Sequence, residues 1–182
     1  MLEQKFKKIT LQAGLRYEYT SYDANQLGNV VVKDSSFSRN YSGLFPSGFI
    51  TYEADSVNTF SLSIGRRIDR PSFQRLNPFV NIINKYTLER GNPFFRPQFT
   101  WNFELSHQYK QLLHTTVSYS LIKDYFSQLF LTDPDGSLVY TQGNVGRMHN
   151  FTFSSMLTTK PAKWWSLNTE AIYTYKKLIG YV

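Results

Sequence analysis

Cysteine is absent from the 182 residues, which excludes disulfides, thiolate metal centres and cysteine nucleophiles and leaves the redox compartment unread. Long apolar runs are lacking too. Mean hydropathy is −0.38, polar residues interrupt every apolar stretch, and nothing approaches the roughly 18 residues of a membrane-crossing helix. No apolar core of a secretory signal follows the opening "MLEQKFKK". Acidic residues are the scarcer sign, 13 against 20 Lys and Arg, for a net charge of +7, which invites an anionic partner. The three histidines, His107, His114 and His149, show no metal-ligand spacing. Neither a nucleophile elbow, a phosphate-cradling glycine loop nor a paired carboxylate is present. The sequence therefore predicts a protein that is not an enzyme and needs no metal or cofactor.

What is abundant is aromatic: 15 Phe and 13 Tyr, residues that favour pleated strands. Residues 9 to 20 put Ile9, Leu11, Ala13, Leu15, Tyr17 and Tyr19 on one face and Thr10, Gln12, Gly14, Arg16, Glu18 and Thr20 on the other, a period of two without exception. Phe60, Leu62 and Ile64 repeat the pattern against Ser61, Ser63 and Gly65, as do Phe99, Trp101, Phe103 and Leu105 against Thr100, Asn102, Glu104 and Ser106. Seven strands are predicted, at about 8–21, 43–53, 58–69, 98–109, 113–132, 137–159 and 164–176. Most are far longer than the five or six residues usual in soluble sheets.

Short links, "ADSVN" near 54, "KQLL" near 110 and "KPAK" near 160, alternate with longer stretches at about 22–42 and 69–97, and "DPDG" at 133–136 is a tight exception. Short turns at one end and long loops at the other describe an antiparallel transmembrane β-barrel, with inner turns and outer loops. On this reading 1–182 is part of one all-β barrel domain with outer loops at about 22–42 and 69–97 and no plug domain. The apolar face meets lipid through Leu11, Leu15, Phe60, Leu62, Phe99, Trp101 and Phe103. Seven strands leave the chain ends on opposite sides of the membrane, so the expectation is a segment completed by the rest of a barrel. An eighth strand would have to lie in 22–42, where "VVVK" at 30–33 is the candidate.

The motifs "GLRYEYT" at 14–20, "LFPSGFITYE" at 44–53, "RRIDRPSFQRLNPF" at 66–79, "ERGNPFFRPQFTWNFELSHQY" at 89–109 and "NVG" at 144–146 together resemble the barrel of TonB-dependent outer-membrane receptors, and most closely the outer-membrane β-barrel family. The resemblance implies a bacterial outer-membrane location and, in the whole receptor, a plug inside the barrel. It also implies a TonB-type energy-coupling complex and active uptake of a solute that the sequence does not identify.

Pro71, Pro78, Pro93 and Pro97 each remove a ladder donor, so strand pairing is expected to stop across 70–97, with Phe73, Phe79, Phe94 and Phe95 packing the loop on itself or on the rim. Seven basic residues stand between 66 and 96 against Asp69 and Glu89. Arg67, Arg70, Arg75, Arg90 and Arg96 are accordingly candidates for contact with an anionic solute or lipopolysaccharide phosphates, with Arg67 directed inward beside Ser63 and Gly65. A solvated rim that keeps charge out of lipid accounts for the same residues. Two other functions fit parts of the sequence: a small outer-membrane barrel with a structural or adhesive role, and a basic, aromatic-rich β domain that binds nucleic acid. The second conflicts with the unbroken apolar row of Phe99, Trp101, Phe103 and Leu105 opposite Asn102 and Glu104, since stacking aromatics should share a face with the cations. No nucleic-acid partner is therefore expected.

Overall fold

The computed structural model describes residues 2–26, 35–77, 80–134 and 136–180. The chain forms one ten-stranded sheet, antiparallel throughout except for one short pairing. In chain order the elements are β1 (Leu2–Phe6), β2 (Ile9–Gln26), β3 (Ser35–Glu53), β4 (Asn58–Asp69), a one-turn helix α1 (Phe73–Leu76), β5 (Val80–Asn84), β6 (Thr87–Arg90), β7 (Gln98–Tyr109), β8 (Leu113–Thr132), β9 (Leu138–Ala162) and β10 (Trp165–Gly180). Side by side they run β1-β2-β3-β4-β7-β8-β9, with β10 on β9 and the β6–β5 hairpin also attached to β9.

The seven predicted strands are all present, and the differences lie at their margins. β2 and β3 extend to Gln26 and from Ser35, so much of the stretch read as a loop at 22–42 is paired strand; the "VVVK" candidate lies outside the described residues. β1 was not anticipated. It pairs with β2 by placing Leu2, Gln4 and Phe6 opposite Ala13, Leu11 and Ile9.

Residues directly opposite in an antiparallel sheet share a face, so the register identifies what each face is made of. Leu11, Ile50, Leu62, Leu105, Val117, Phe153 and Tyr173 follow one another across seven strands. One residue further along, Gln12, Phe49, Ser63, Glu104, Ser118, Thr152 and Thr174 form the matching row on the other face. The next two rows repeat this contrast: Ala13, Gly48, Ile64, Phe103, Tyr119, Phe151 and Tyr175, then Gly14, Ser47, Gly65, Asn102, Ser120, Asn150 and Lys176. Phe60 shares the apolar face through Tyr52 and His107, Trp101 and Phe99 through Leu121 and Ile68, and Leu15 through its place two residues beyond Ala13.

This face is not covered. Among the described residues only Phe45, Leu76, Phe95 and Val139 form a buried apolar set, while Leu15, Leu62 and Leu105 stand open. The chain exposes 13121 Å², where a compact monomer of 21.3 kDa would expose about 9,100 Å². A sheet this bare cannot hold its apolar face against water by its own packing. Burial must come from another phase or from further strands.

Cations on the apolar face sit at its upper border. Arg66, opposite Trp101, turns into the split where the β3–β4 ladder ends at Ser47 and Gly65. Its guanidinium donates to the Leu44 carbonyl at 3.1 Å and lies 4.8 Å from the Phe99 ring centre, with Phe45 and Trp101 also within 6 Å. Ring faces and one carbonyl thus stand in for water.

The short turns are tied internally. In the β3–β4 turn Asp55 Oδ1 accepts the backbone N–H groups of Val57 and Asn58, both at 2.8 Å, and its Oδ2 accepts the Asn58 amide at 3.0 Å. The Asn58 side chain and then these two N–H groups lower the Asp55 pKa below the ordinary aspartate value. A depressed folded pKa makes the Asp55 contribution complete above the usual carboxylate range and lost as pH falls through the folded value. Replacing Asp55 by Ala should therefore reduce stability at neutral pH and leave it unaltered at strongly acid pH, as read from unfolding at a series of pH values. A deficit that is the same at every pH would contradict this.

Phe103→Arg should cost about 2–4 kcal/mol of assembly near the middle of a bilayer, whereas Asn102→Arg on the opposite face should be tolerated. Yields of folded protein in the membrane fraction check the pair, and equal sensitivity at both positions would reject the assignment of faces.

Candidate functional site

The connection between β4 and β7 is not a projecting loop. From Arg70 it turns onto the polar face of β2 and β3, where Arg70, Pro71, Phe73, Leu76 and Pro97 enclose a small space of about 210 Å³ with Thr20, Tyr22, Asp23 and Tyr41. The Arg70 guanidinium bonds the Glu18 carboxylate, which also takes Arg16 at 2.8 Å. Further along, Phe95 is fully buried, edge-on to Phe126 at 4.9 Å. Asn144 clamps the end of the segment: its Oδ1 accepts the Arg96 N–H at 2.8 Å and its amide donates to the Arg96 carbonyl at 3.0 Å.

Between these anchors the chain does pair, contrary to the expectation from the prolines. β5 and β6 form a hairpin, and β6 runs parallel to β9 with Thr87, Leu88 and Glu89 opposite Leu138, Val139 and Tyr140. The physical reason is position. Pro71 and Pro93 flank the hairpin, and none of residues 80–90 is proline, so every ladder donor is available. Of the aromatics expected to pack this stretch, Phe95 does so, Phe73 and Phe94 are exposed, and Phe79 is outside the described residues.

The two halves of the sequence motif meet. The Asn92 N–H donates to the Arg75 carbonyl at 2.7 Å, and the Asn92 amide reaches the Gln142 carbonyl at 3.3 Å. Gly91 passes so close that a Cβ there would stand 2.2 Å from the Asn77 carbonyl oxygen and 2.9 Å from that of Arg75. "RPSFQRLN" and "RGN" are thus two sides of one backbone contact, which requires glycine at 91.

The five candidate arginines have different fates. Arg70 is held by Glu18, Arg96 lies 2.9 Å from Asp124, and Arg90 lies 3.7 Å from Asp133. These three anchor the segment. Arg67, opposite Thr100 on the polar face, lines a recess of about 530 Å³ that includes Ser63, Gly65 and Asn102. Arg75 lies over the Phe126 ring at 5.9 Å and borders a recess of about 610 Å³ between the motif halves and β9. Sequence reasoning missed the anchoring carboxylates and Asn144. The only signal for Asn144 was its presence in the quoted "NVG".

A single sheet with one bare apolar face, one polar face and a segment folded onto the polar side is the geometry of part of a barrel wall. The outer membrane protein beta-barrel family matches residues 1–181. The chain belongs to that family. None of the curated proteins matches it. Among solved structures it resembles the siderophore receptor PirA from Pseudomonas aeruginosa (12% identity, TM-score 0.68, 93% of this chain and 35% of that one). It also resembles the copper transporter OprC (14%, 0.68, 96% and 27%). A third is the Serratia marcescens hemophore receptor HasR, solved with its hemophore HasA and heme (14%, 0.60, 95% and 32%). At such identities the likeness establishes the fold, and the chain spans about a third or less of each of these structures. It is a β-barrel-family chain whose structural relatives are outer-membrane receptors and transporters.

Gly91→Ala should separate the motif halves at a cost of about 1–3 kcal/mol. The expected sign is faster tryptic cleavage between Arg75 and Arg90 in the otherwise folded protein; an unchanged cleavage rate would show that the contact is dispensable.

Proposed function

We propose that the chain is a wall segment of a TonB-dependent receptor in the bacterial outer membrane, taking part in active uptake of a solute. The observation that carries this reading is the pairing of a bare apolar face with a polar face onto which the β4–β7 segment folds. Lipid covers the first. The second lines a lumen that the segment narrows.

Leu11, Leu15, Phe60, Leu62, Phe99, Trp101 and Phe103 face the hydrocarbon, and the remaining strands of the barrel complete the free sheet edges. A plug fills the lumen in the resting receptor, and a TonB-type complex supplies the force that moves it. The long connections face outward, where Arg67 and Arg75 are available to anions. The stacked Trp164 and Trp165, at 6.2 Å, mark the opposite end at the inner interface.

The experiment is solute depletion from defined medium by cells with and without the complete receptor, each with and without an uncoupler. At least one solute should disappear only from receptor-bearing, energised cultures. Depletion that persists in uncoupled cells would refute active uptake.

A further inference from the structure

We infer that the recess between the two motif halves and β9 binds an acidic, polyhydroxylated solute, of the class of sugar acids and uronate-containing saccharides. This rests on the uptake reading and specifies its substrate class. At about 610 Å³ the recess has the size of a small-ligand site. Its shape is set by backbone: Gly91 is pressed against the Asn77 and Arg75 carbonyls, and Asn92 ties this floor to Gln142 of β9.

The lining chemistry is selective. Among the described residues its lining is polar apart from Tyr140 and Gly91, which favours a polar ligand over a flat apolar one. Three carboxamides, Gln74, Asn81 and Gln142, border the space, and each carries two donors beside an acceptor. That pattern complements neighbouring hydroxyls, which donate and accept at similar spacing. Glu89 adds an acceptor-only group suited to two hydroxyl donors, and its charge disfavours ligands carrying several negative charges. Tyr140 belongs to the same wall.

The acid is selected by Arg75. Arg70, Arg90 and Arg96 are each matched to a carboxylate, while no ion pair links Arg75 to any described residue. Its guanidinium lies 5.9 Å from the Phe126 ring centre, a contact through the face of the fork that leaves its in-plane N–H groups for a bidentate carboxylate on the bound solute.

The test is calorimetry on the complete detergent-solubilised receptor with three probes: a uronate-containing disaccharide, its neutral counterpart and inorganic phosphate. The acidic disaccharide should bind more tightly than the neutral one, and phosphate should not compete. Arg75→Gln should weaken the acidic probe about tenfold or more while leaving the neutral one unchanged. Asn81→Asp, on an exposed strand, provides a second variant should the first fail to fold, and should weaken the acidic probe more than the neutral one, because it adds a negative charge beside the bound carboxylate. Absence of binding by either disaccharide, equal loss of both probes in the folded variants, or effective competition by phosphate would overturn the inference. Failure here alongside energised uptake of some other solute leaves the receptor reading intact, whereas absence of energised uptake removes that reading itself.

Discussion

Seven strands hold one register from Leu11 to Tyr173, and because side chains alternate with a period of two, a slip by one residue in any strand would carry an apolar row to the polar face. Everything else in the structure depends on that constraint. Ladder bonds fix the register, and the register separates Phe103 and its neighbours from Asn102 and its neighbours. Separation in turn lets one sheet meet two different solvents. Few side chains are buried by the sheet itself, so the free energy that would normally come from a core has to come from what covers the apolar face.

The small core that does exist gathers around the β4–β7 segment. Leu76 and Phe95 belong to that segment, and Val139 is opposite Leu88 of its hairpin. The same feature accounts for three of the six arginines between residues 66 and 96. Three guanidiniums hold the segment to carboxylates on β2, on β8 and just beyond it, so they join strands remote in sequence where a projecting loop would have left them in solvent. Partly exposed ion pairs of this kind are individually weak. Their combined effect comes from acting with the Asn92 and Asn144 clamps and the Gly91 contact, which fix the backbone directly.

The long strands were legible because alternation over ten or more residues has few other interpretations, and because lipid and water demand opposite residues at every second position. β1 was not, since "LEQKF" has only two apolar residues in five. The β5–β6 hairpin was hidden for a related reason: "VNIIN" and "TLER" are too short for a period to show, and the neighbouring prolines argued for the wrong conclusion. That aromatics such as Phe95 would pack the segment was legible, but its placement on the polar face of β2 and β3 was not. It depends on partners such as Glu18, Asp124 and Asn144, which read individually as ordinary polar-face residues. Arg66 is a further case, for it continues the apolar series of Phe60, Leu62 and Ile64 and is tolerated there only because three rings and a carbonyl surround it.

β9 has β8 along one side for nearly its whole length, so β10 and β6 must share the other. β10 uses it from Ala162 to Gly146, and β6 takes it over from Tyr140 to Leu138. Joining Thr87 to Leu138 closes a loop of about fifty residues, an entropic cost recovered only once the β8–β9 hairpin already stands. Contact order therefore favours the local hairpin forming before capture of the distant strand. The height of the wall on this flank is likewise governed by an element encoded far upstream, because β10 could climb beyond the few positions above Gly146 only by evicting β6.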